Sequence, residues 1–380
     1  MTDLQVDLLT HVDAFADLAP EWQALADSIQ PAVPFNTPLW NQLWWRHHHG
    51  EGPLVHDALQ LYSIRDSSGK LLAVAPMMLT ERPAFGPLRW RELRFFGADP
   101  NMTEIRGCVC RPENEARVLQ ALYETLSRQS GTWHWFSLQG VRDPASLPPE
   151  ADTGPIEAQP DYYLRLPPSW EQLRSGLSRN IKESLRKCYN SLKRDGYQFQ
   201  LHVVEAVADV PAALSRLLHL HRQRSMARTS VRHNNVFADL RAQQFIAAYA
   251  QTMAYRHQLQ IFELEIGGKI VASRMAFSFD RSLYLYYSGY DPGWRAYSVM
   301  TTLLAEVIKW AIERGYTELN LSTGNDISKT RWSPAEVRYH RAILCAPTPR
   351  ARWAYRTYSR LARHNMLIRA ALAGHRDKRR

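Results

Sequence analysis

The sequence is short of several things, and each shortage excludes a class of protein. Four cysteines (Cys108, Cys110, Cys188 and Cys345) in 380 residues are too few and too scattered for a disulfide framework, so a reducing cytoplasm is the expected compartment. Cys108-x-Cys110 has no second pair at metal-binding spacing. His47, His48 and His49 are adjacent and cannot face one ion from one helix, so no metal is expected. Long apolar runs are missing too. The stretch 299–308 already contains Glu306, well short of the ~18 uncharged residues a membrane span needs. The first seven residues carry two acids and no base, unlike the basic start of a secretory leader. No Gly-x-Gly-x-x-Gly or P-loop appears, and no Ser-His-Asp or Cys-His arrangement points to a covalent intermediate. Cys188 lies on an apolar helical stripe and is expected to pack as a small hydrophobe.

Acid is missing from one region in particular. Residues 346–380 hold ten basic groups and one acid, Asp377, a net charge of +9. The other 345 residues hold 37 basic and 36 acidic groups, so +9 of the total of +10 belongs to the tail and a generally basic nucleic-acid-binding body is not supported. Ala354, Tyr358, Leu361, Ile368 and Leu372 make a broken apolar stripe between arginines. Such a basic amphipathic helix either lies on an anionic membrane or packs on the body.

What is present is an ordinary globular mix, 45% hydrophobic and 22% charged. At roughly 100–200 residues per domain, two or three domains are expected. Leu173, Leu177, Ile181, Leu185, Cys188 and Leu192 recur at helical spacing and stop at Gly196. The opposite face carries seven basic residues, a solvated surface or a dock for an anionic group.

The chain also resembles itself. Leu59-Gln60-Leu61-Tyr62-Ser63-Ile64 matches Leu259-Gln260-Ile261-Phe262-Glu263-Leu264, and each leads through Gly-Lys, at 69–70 and 268–269, into another apolar strand. Phe95-Phe96-Gly97-Ala98-Asp99-Pro100 matches Tyr287-Ser288-Gly289-Tyr290-Asp291-Pro292. Helical stretches at 115–128 and 299–314 follow, then strands entered through Gly131 and Gly315. The offset falls stepwise from 200 to 184, as in a domain duplication with loops of unequal length. A boundary is expected in the proline-rich stretch 143–168.

Each copy reads strand, turn, strand, strand, helix, strand. The order and spacing resemble the GNAT acyltransferases, and within them the FemAB-like and CelD-like branch with two such domains in tandem. The residues that carry this are Asn180-Ile181-Lys182-Glu183-Ser184-Leu185-Arg186-Lys187, Leu220-His221-Arg222-Gln223-Arg224, Tyr287-Ser288-Gly289-Tyr290-Asp291-Pro292-Gly293-Trp294-Arg295-Ala296-Tyr297-Ser298 and Gly324-Asn325-Asp326-Ile327-Ser328-Lys329. The resemblance implies an α/β (mixed α+β) fold with a twisted mixed sheet flanked by helices in each domain. It implies a degenerate first domain at 1–150, a linker at 151–168, a donor-binding domain at 169–346 and a basic helix or tail at 347–380.

The resemblance further implies an N-acyltransferase that moves an acyl group from acyl-CoA, acetyl-CoA in the simplest case, to an amine such as an amino-sugar or exopolysaccharide precursor. The donor would enter where the strands at 282–290 and 317–321 splay apart, its arm pairing with their free backbone groups. Its phosphates would lie on Gly293, Arg295, Ala296, Tyr297, Ser298, Val299 and Met300 at a helix start. Val299-Met300 stand where the family often has Pro-Gly, and Asp326 and Ser328 where it has Glu and Tyr. Asp326 is expected as the base or as an ion-pair partner of Lys329, Lys329 as an oxyanion or phosphate ligand, and Tyr287 as a proton donor to sulphur, the competing role for the tyrosine being core packing. His221, Arg222, Arg224 and Glu263 are candidates for the acceptor side. Alternatives are an aminoacyl-tRNA-dependent transferase of FemAB type, which lacks support from a long coiled-coil arm, and a non-catalytic scaffold. The expected location is cytoplasmic, with the tail on the inner face of the membrane as one option.

Overall fold

Alternating apolar and polar residues make hairpin strands where the repeat places them. The computed structural model describes residues 3–84, 89–99, 101–149, 158–227 and 233–364. The first copy runs β1 (Gln5–Leu9), α1 (Ala14–Asp27), α2 (Pro38–His48), β2 (His56–Arg65), β3 (Leu71–Arg82), β4 (Trp90–Phe95), β5 (Val109–Cys110), α3 (Glu115–Arg128) and β6 (Trp135–Val141). The second runs β7 (Gln159–Arg165), α4 (Trp170–Gly176), α5 (Arg179–Arg194), β8 (Phe199–Val204), α6 (Val210–Met226), α7 (Leu240–Tyr255), β9 (Leu259–Ile266), β10 (Lys269–Phe279), β11 (Ser282–Tyr290), α8 (Val299–Glu313), β12 (Glu318–Thr323) and α9 (Ile327–Thr330). β13 (Ala335–Cys345) and α10 (Pro349–His364) close the described chain.

Contacts divide the chain into two units, one of Met1–Gln30, Phe35–Gln159 and Arg338–Arg380, the other of Pro31–Pro34 and Pro160–Val337. In the first, strand order is β1-β2-β3-β4-β6-β13, antiparallel except for the parallel pair β4/β6. In the second it is β8-β9-β10-β11-β12-β7, antiparallel except for the parallel pair β11/β12. The two orders are the same plan: a four-strand meander, a crossover helix (α3 or α8), a fifth strand parallel to the fourth, and a sixth antiparallel to it. This is the mixed α/β tandem that the repeat predicts.

Three expectations meet a different structure. The amphipathic stretch is two helices, because Leu177 and Ser178 are extended between Gly176 and Arg179. Glycine is a poor helix former and serine favours the position before a helix. The stripe itself holds from Leu177 to Leu192, all buried. Residues 159–165, within the expected linker, form β7 instead; 151–157 lie outside the described residues. From Arg338 onward β13 belongs to the first unit, and so does α10. His340–Cys345 pairs along β6, Ala346 and Ala351 enter the first core, and Tyr358 lies 4.8 Å from Trp135. Ile368 and Leu372 of the expected tail stripe, like 376–380, lie outside the described residues.

Leu93, Phe95, Leu119, Leu122, Leu126, Phe136 and Leu138 form the first unit's core under α3. In the second, α5 and α8 cover Phe262, Leu264, Leu283, Leu285, Leu319 and Leu321. Tyr249 of α7 meets Phe277 with ring centroids 5.0 Å apart, and α6 packs on β11.

Candidate functional site

The gap expected between the two central strands is there. β11 and β12 are in register only at Ser282/Glu318, Leu283/Leu319 and Tyr284/Asn320, although β11 continues to Tyr290 and β12 to Thr323. Each strand has its own reason to turn away. On β11, the register with β10 jumps from Leu285/Ala276 to Ser288/Arg274, so Tyr286 and Tyr287 together oppose Met275. An extra residue of this kind bends a strand and ends its pairing. On β12, Ser322 adopts a left-handed conformation with φ 68°. Its N–H donates to Asn320 Oδ1 at 2.6 Å, and Asn320 Nδ2 donates to Asp161 Oδ2 at 2.8 Å. Beyond Tyr284 and Asn320 the two facing edges no longer satisfy one another's backbone groups, a cost unless a ligand or water pairs with them.

The chain then enters α8 through a built turn. Asp291 Oδ1 accepts the Gly293 N–H at 2.9 Å and starts a 3-10 turn at Pro292–Tyr297. Ser298, left-handed at φ 52°, swings the chain into the helix, and its side chain makes no cap. The first N–H groups of a 15-residue helix, at Val299 and Met300, have no partner inside it and attract negative charge.

Gap and helix start open on a cleft of about 330 Å³ in the second unit. Arg295, Ser298, Val299, Met300, Thr301 and Leu304 line it from the turn and α8, Asp326, Ser328 and Arg331 from beyond β12, Tyr290 and Arg274 from β11 and β10, and Arg224 and His233 from α6 and the segment after it. Four arginines face one carboxylate. Burial pulls Arg224 below the ordinary guanidinium range, against the opposing pull of Tyr290 and Asp326. Burial, with the Arg224 charge beside it, lowers His233, so that imidazole is neutral at neutral pH. Burial would raise Asp326, but hydrogen bonds from Ser328 and the charges of Lys329 and Arg224 outweigh it and hold the carboxyl low. Asp326 caps α9 through the Ser328 N–H at 2.7 Å. A capped carboxylate below its usual range is a poor base near pH 7.

The structure thus brings Arg224, Arg295, Ser298, Val299, Met300 and Asp326 to one cleft. The other candidates sit outside its lining. Lys329 Nζ donates to Ser322 Oγ at 3.1 Å and to the Thr323 carbonyl, bracing the bend in β12. Tyr287 packs edge-on to His221 and Phe237 at 5.4 and 5.2 Å. His221 is buried; Nδ1 meets the Ser288 carbonyl at 3.0 Å while Nε2 accepts the Val236 N–H at 3.4 Å. That pair of contacts fixes the Nδ1–H tautomer, so His221 clasps α6 to β11. Arg222 is exposed on α6. Glu263 is buried and takes both arms of Arg216 at 2.8 Å. Gly293 belongs to the Asp291 turn, Ala296 is exposed, and Tyr297 donates to Asp195 Oδ2 at 2.9 Å. Burial raises the Cys188 thiol, as a packed cysteine requires. Arg274, Arg331 and His233 are the lining groups that sequence reasoning passed over. Arg274 had a signal, a lone charge inside the apolar strand Val271-Ala272-Ser273-Arg274-Met275-Ala276.

The first unit has the same parting. β4 and β6 pair only at Glu92/Trp135, Leu93/Phe136 and Arg94/Ser137. A Cβ on Gly140 would fall 1.9 Å from the Arg106 carbonyl oxygen and one on Gly107 would fall 2.9 Å from that of Gln139, so 106–107 lies backbone to backbone on 139–140. No group of His, Cys, Asp and Glu suited to a metal occurs among the described residues.

Comparison with known proteins gives the same fold. The search of curated proteins finds no match. FemX matches with a TM-score of 0.54 at 9% identity, covering 88% of this chain and 96% of that one. The C-terminal domain of a putative lysylphosphatidylglycerol synthetase from Agrobacterium fabrum matches at 0.48 and 14%, covering 91% and 97%. A tandem GNAT protein from the clavulanic acid biosynthesis pathway matches at 0.44 and 12%, covering 91% and 99%. Residues 179–341 match the family described as an acetyltransferase (GNAT) domain, and with the parted β11/β12 pair beside the start of α8 they have the fold of a GNAT-domain acetyltransferase.

Proposed function

We propose that this chain transfers an acyl group from an acyl-CoA thioester to an amine. One observation carries the reading: the β11/β12 gap opens beside the N-terminus of α8, in a cleft with excess positive charge. An extended pantetheine-like arm can pair with the free strand edges, and phosphates suit the helix start and Arg295. In the reaction the amine nitrogen attacks the thioester carbon, the C–S bond breaks, the nitrogen gives up a proton and the thiolate takes one. His233, held neutral on the cleft wall, is suited to accept the first proton; the Tyr290 phenol on the same wall is suited to supply the second. Asp326 then caps α9 and offsets part of the cleft's positive charge.

Calorimetric titration with acetyl-CoA, longer acyl-CoAs and charged tRNA tests the donor. Acetyl-CoA is expected to bind, and Arg295→Ala to weaken it about tenfold, the scale of one charge-assisted hydrogen bond. Binding of charged tRNA in place of any CoA ester would replace this reading with an aminoacyl-tRNA-dependent one. Binding of neither would leave a non-catalytic scaffold.

We also propose that α10 rests on an anionic membrane surface, which suits an acceptor of cell-envelope type such as an amino-sugar precursor. Ala351 and Ala354 are buried and Tyr355 and Tyr358 lie 5.7 and 4.8 Å from Trp135, while Arg350, Arg352, Trp353, Arg356 and Arg360 are exposed. The helix contains no acid, and Trp353, 62% exposed, sits among the arginines. Each basic residue near an anionic bilayer is worth about 1 kcal/mol. Changing Arg352, Arg356 and Arg360 to Gln is therefore expected to cut co-sedimentation with phosphatidylglycerol vesicles by about two orders of magnitude. Equal binding by wild type and variant would remove the membrane from the proposal.

A further inference from the structure

Two guanidinium groups that line the cleft meet behind its wall at one neutral oxygen, that of the buried Ser288. Arg224 Nη1 donates to Ser288 Oγ at 3.2 Å, and Arg274 Nη2 approaches the same oxygen at 3.5 Å. The second arm of Arg224 faces the His233 ring at 3.1 and 3.3 Å, and Arg224 Nε is buried with no hydrogen-bond partner among the described residues. Arg331 comes from beyond β12; its Nη2 donates to Thr301 Oγ1 at 2.8 Å, and its Nε is likewise buried without a partner among the described residues. Asp326 is the one acid among the described lining residues, and the start of α9 already occupies it. Like charges gathered at low dielectric around a hydroxyl repel one another, and buried guanidinium N–H groups without acceptors carry a desolvation cost. An anion with several oxygens relieves both at once, and the forked geometry of arginine suits carboxylate or phosphate.

We infer that Arg224 and Arg274, with Ser288 between them, form a subsite for a carboxylate or phosphate group carried by the acceptor. This rests on the acyl-transfer reading, which assigns Arg295 and the α8 N-terminus to the donor. Arg224 and Arg274 project from α6 and β10 and converge on β11 upstream of the donor turn. The acceptor is then an anionic amine, such as an amino acid or a phosphorylated or nucleotide-linked amino sugar. His233 stands against Arg224, so an anion held there brings the rest of the acceptor to the neutral imidazole.

The test is calorimetric titration of the full chain with inorganic phosphate and, in parallel, acetate, each with and without saturating CoA. Phosphate or acetate is expected to bind with CoA present, and the tighter of the two identifies the group recognised. Arg224→Gln and Arg274→Gln are each expected to weaken that binding at least tenfold and to leave CoA affinity within twofold. Arg224→Lys and Arg274→Lys keep the charge, guard against loss of fold, and are expected to lose the same binding through loss of the fork. Two results overturn the inference: no binding of either anion, or anion binding that CoA abolishes together with a fall in CoA affinity in the Gln variants, which would give these arginines to the donor phosphates. If CoA never binds but phosphate binds through Arg224, the donor reading fails and the anion site stands.

Discussion

Gly289→Ala is expected to cost about 3 kcal/mol or more of stability and to remove ligand binding in the cleft. A Cβ at this position would lie 2.1 Å from the His221 backbone nitrogen and 2.4 Å from the Leu220 carbonyl carbon. Neither can yield as a side chain tip would, so α6 itself must lift off β11. The clasp from His221 to the Ser288 carbonyl then opens, and Arg224, one turn further along the same helix, leaves Ser288. The backbone of Gly289 does not need glycine for its conformation; the requirement is contact with α6. Gly293→Ala is the control. Its Cβ would come no nearer than 3.2 Å, to the flexible Asp291 carboxylate, and its stability is expected to stay near wild type. Urea unfolding with acetyl-CoA titration measures both variants, and a Gly289→Ala protein that keeps wild-type stability and binding would refute this account of how α6 is held.

Much of this fold is written locally. Alternation predicts β2 and β9, the apolar runs after each Gly-Lys turn predict β3 and β10, helical spacing predicts α5, and the repeat ties these, with α3 and α8, into two like units. Positions that depend on distant partners are not legible in that way. β13 reads Glu336-Val337-Arg338-Tyr339-His340-Arg341, too charged to announce a strand, and it becomes one through pairing with β6. β7 sits in a proline-rich stretch whose composition says linker, and its partner β12 lies more than 150 residues away. The candidate site divides along the same line. Residues on the turn into α8 reach the cleft because sequence neighbours place them there. Tyr287, Lys329 and Glu263 have suitable chemistry and serve packing, bend and ion pair instead. Their roles are set by His221, Ser322 and Arg216, which no local pattern links to them. His233 reaches the cleft by the path of the chain after α6, which spacing does not report.

The first unit offers the second large effect. Glu92→Gln is expected to destabilise it by about 3–5 kcal/mol, the range for breaking a buried ion pair from one side. Glu92 Oε2 accepts from Arg82 Nη1 at 2.6 Å and from Arg94 Nη1 at 3.4 Å, and Oε1 accepts from Ser137 Oγ at 2.6 Å. One carboxylate therefore joins β3, β4 and β6 and balances charge on two arginines; the side chain of Arg82 is only 3% exposed. Glutamine keeps the shape and removes the charge, leaving both guanidinium groups short of their counter-ion. Burial alone would raise Glu92, but Arg82 and Arg94 overcome it and bring the carboxyl down from 4.5 to about 2. A group lowered by folding adds stability that is fully present above its unfolded value and is lost as the pH falls through the folded one. Wild type should therefore lose this contribution between pH 4.5 and about 2, while Glu92→Gln, already without it, should show a flatter profile across that interval. Urea midpoints measured against pH in both proteins check this, and parallel curves would show that the carboxylate is not what holds the three strands. Acetyl-CoA affinity should survive the substitution at neutral pH, because the cleft proposed for the donor is built wholly from residues of the other unit.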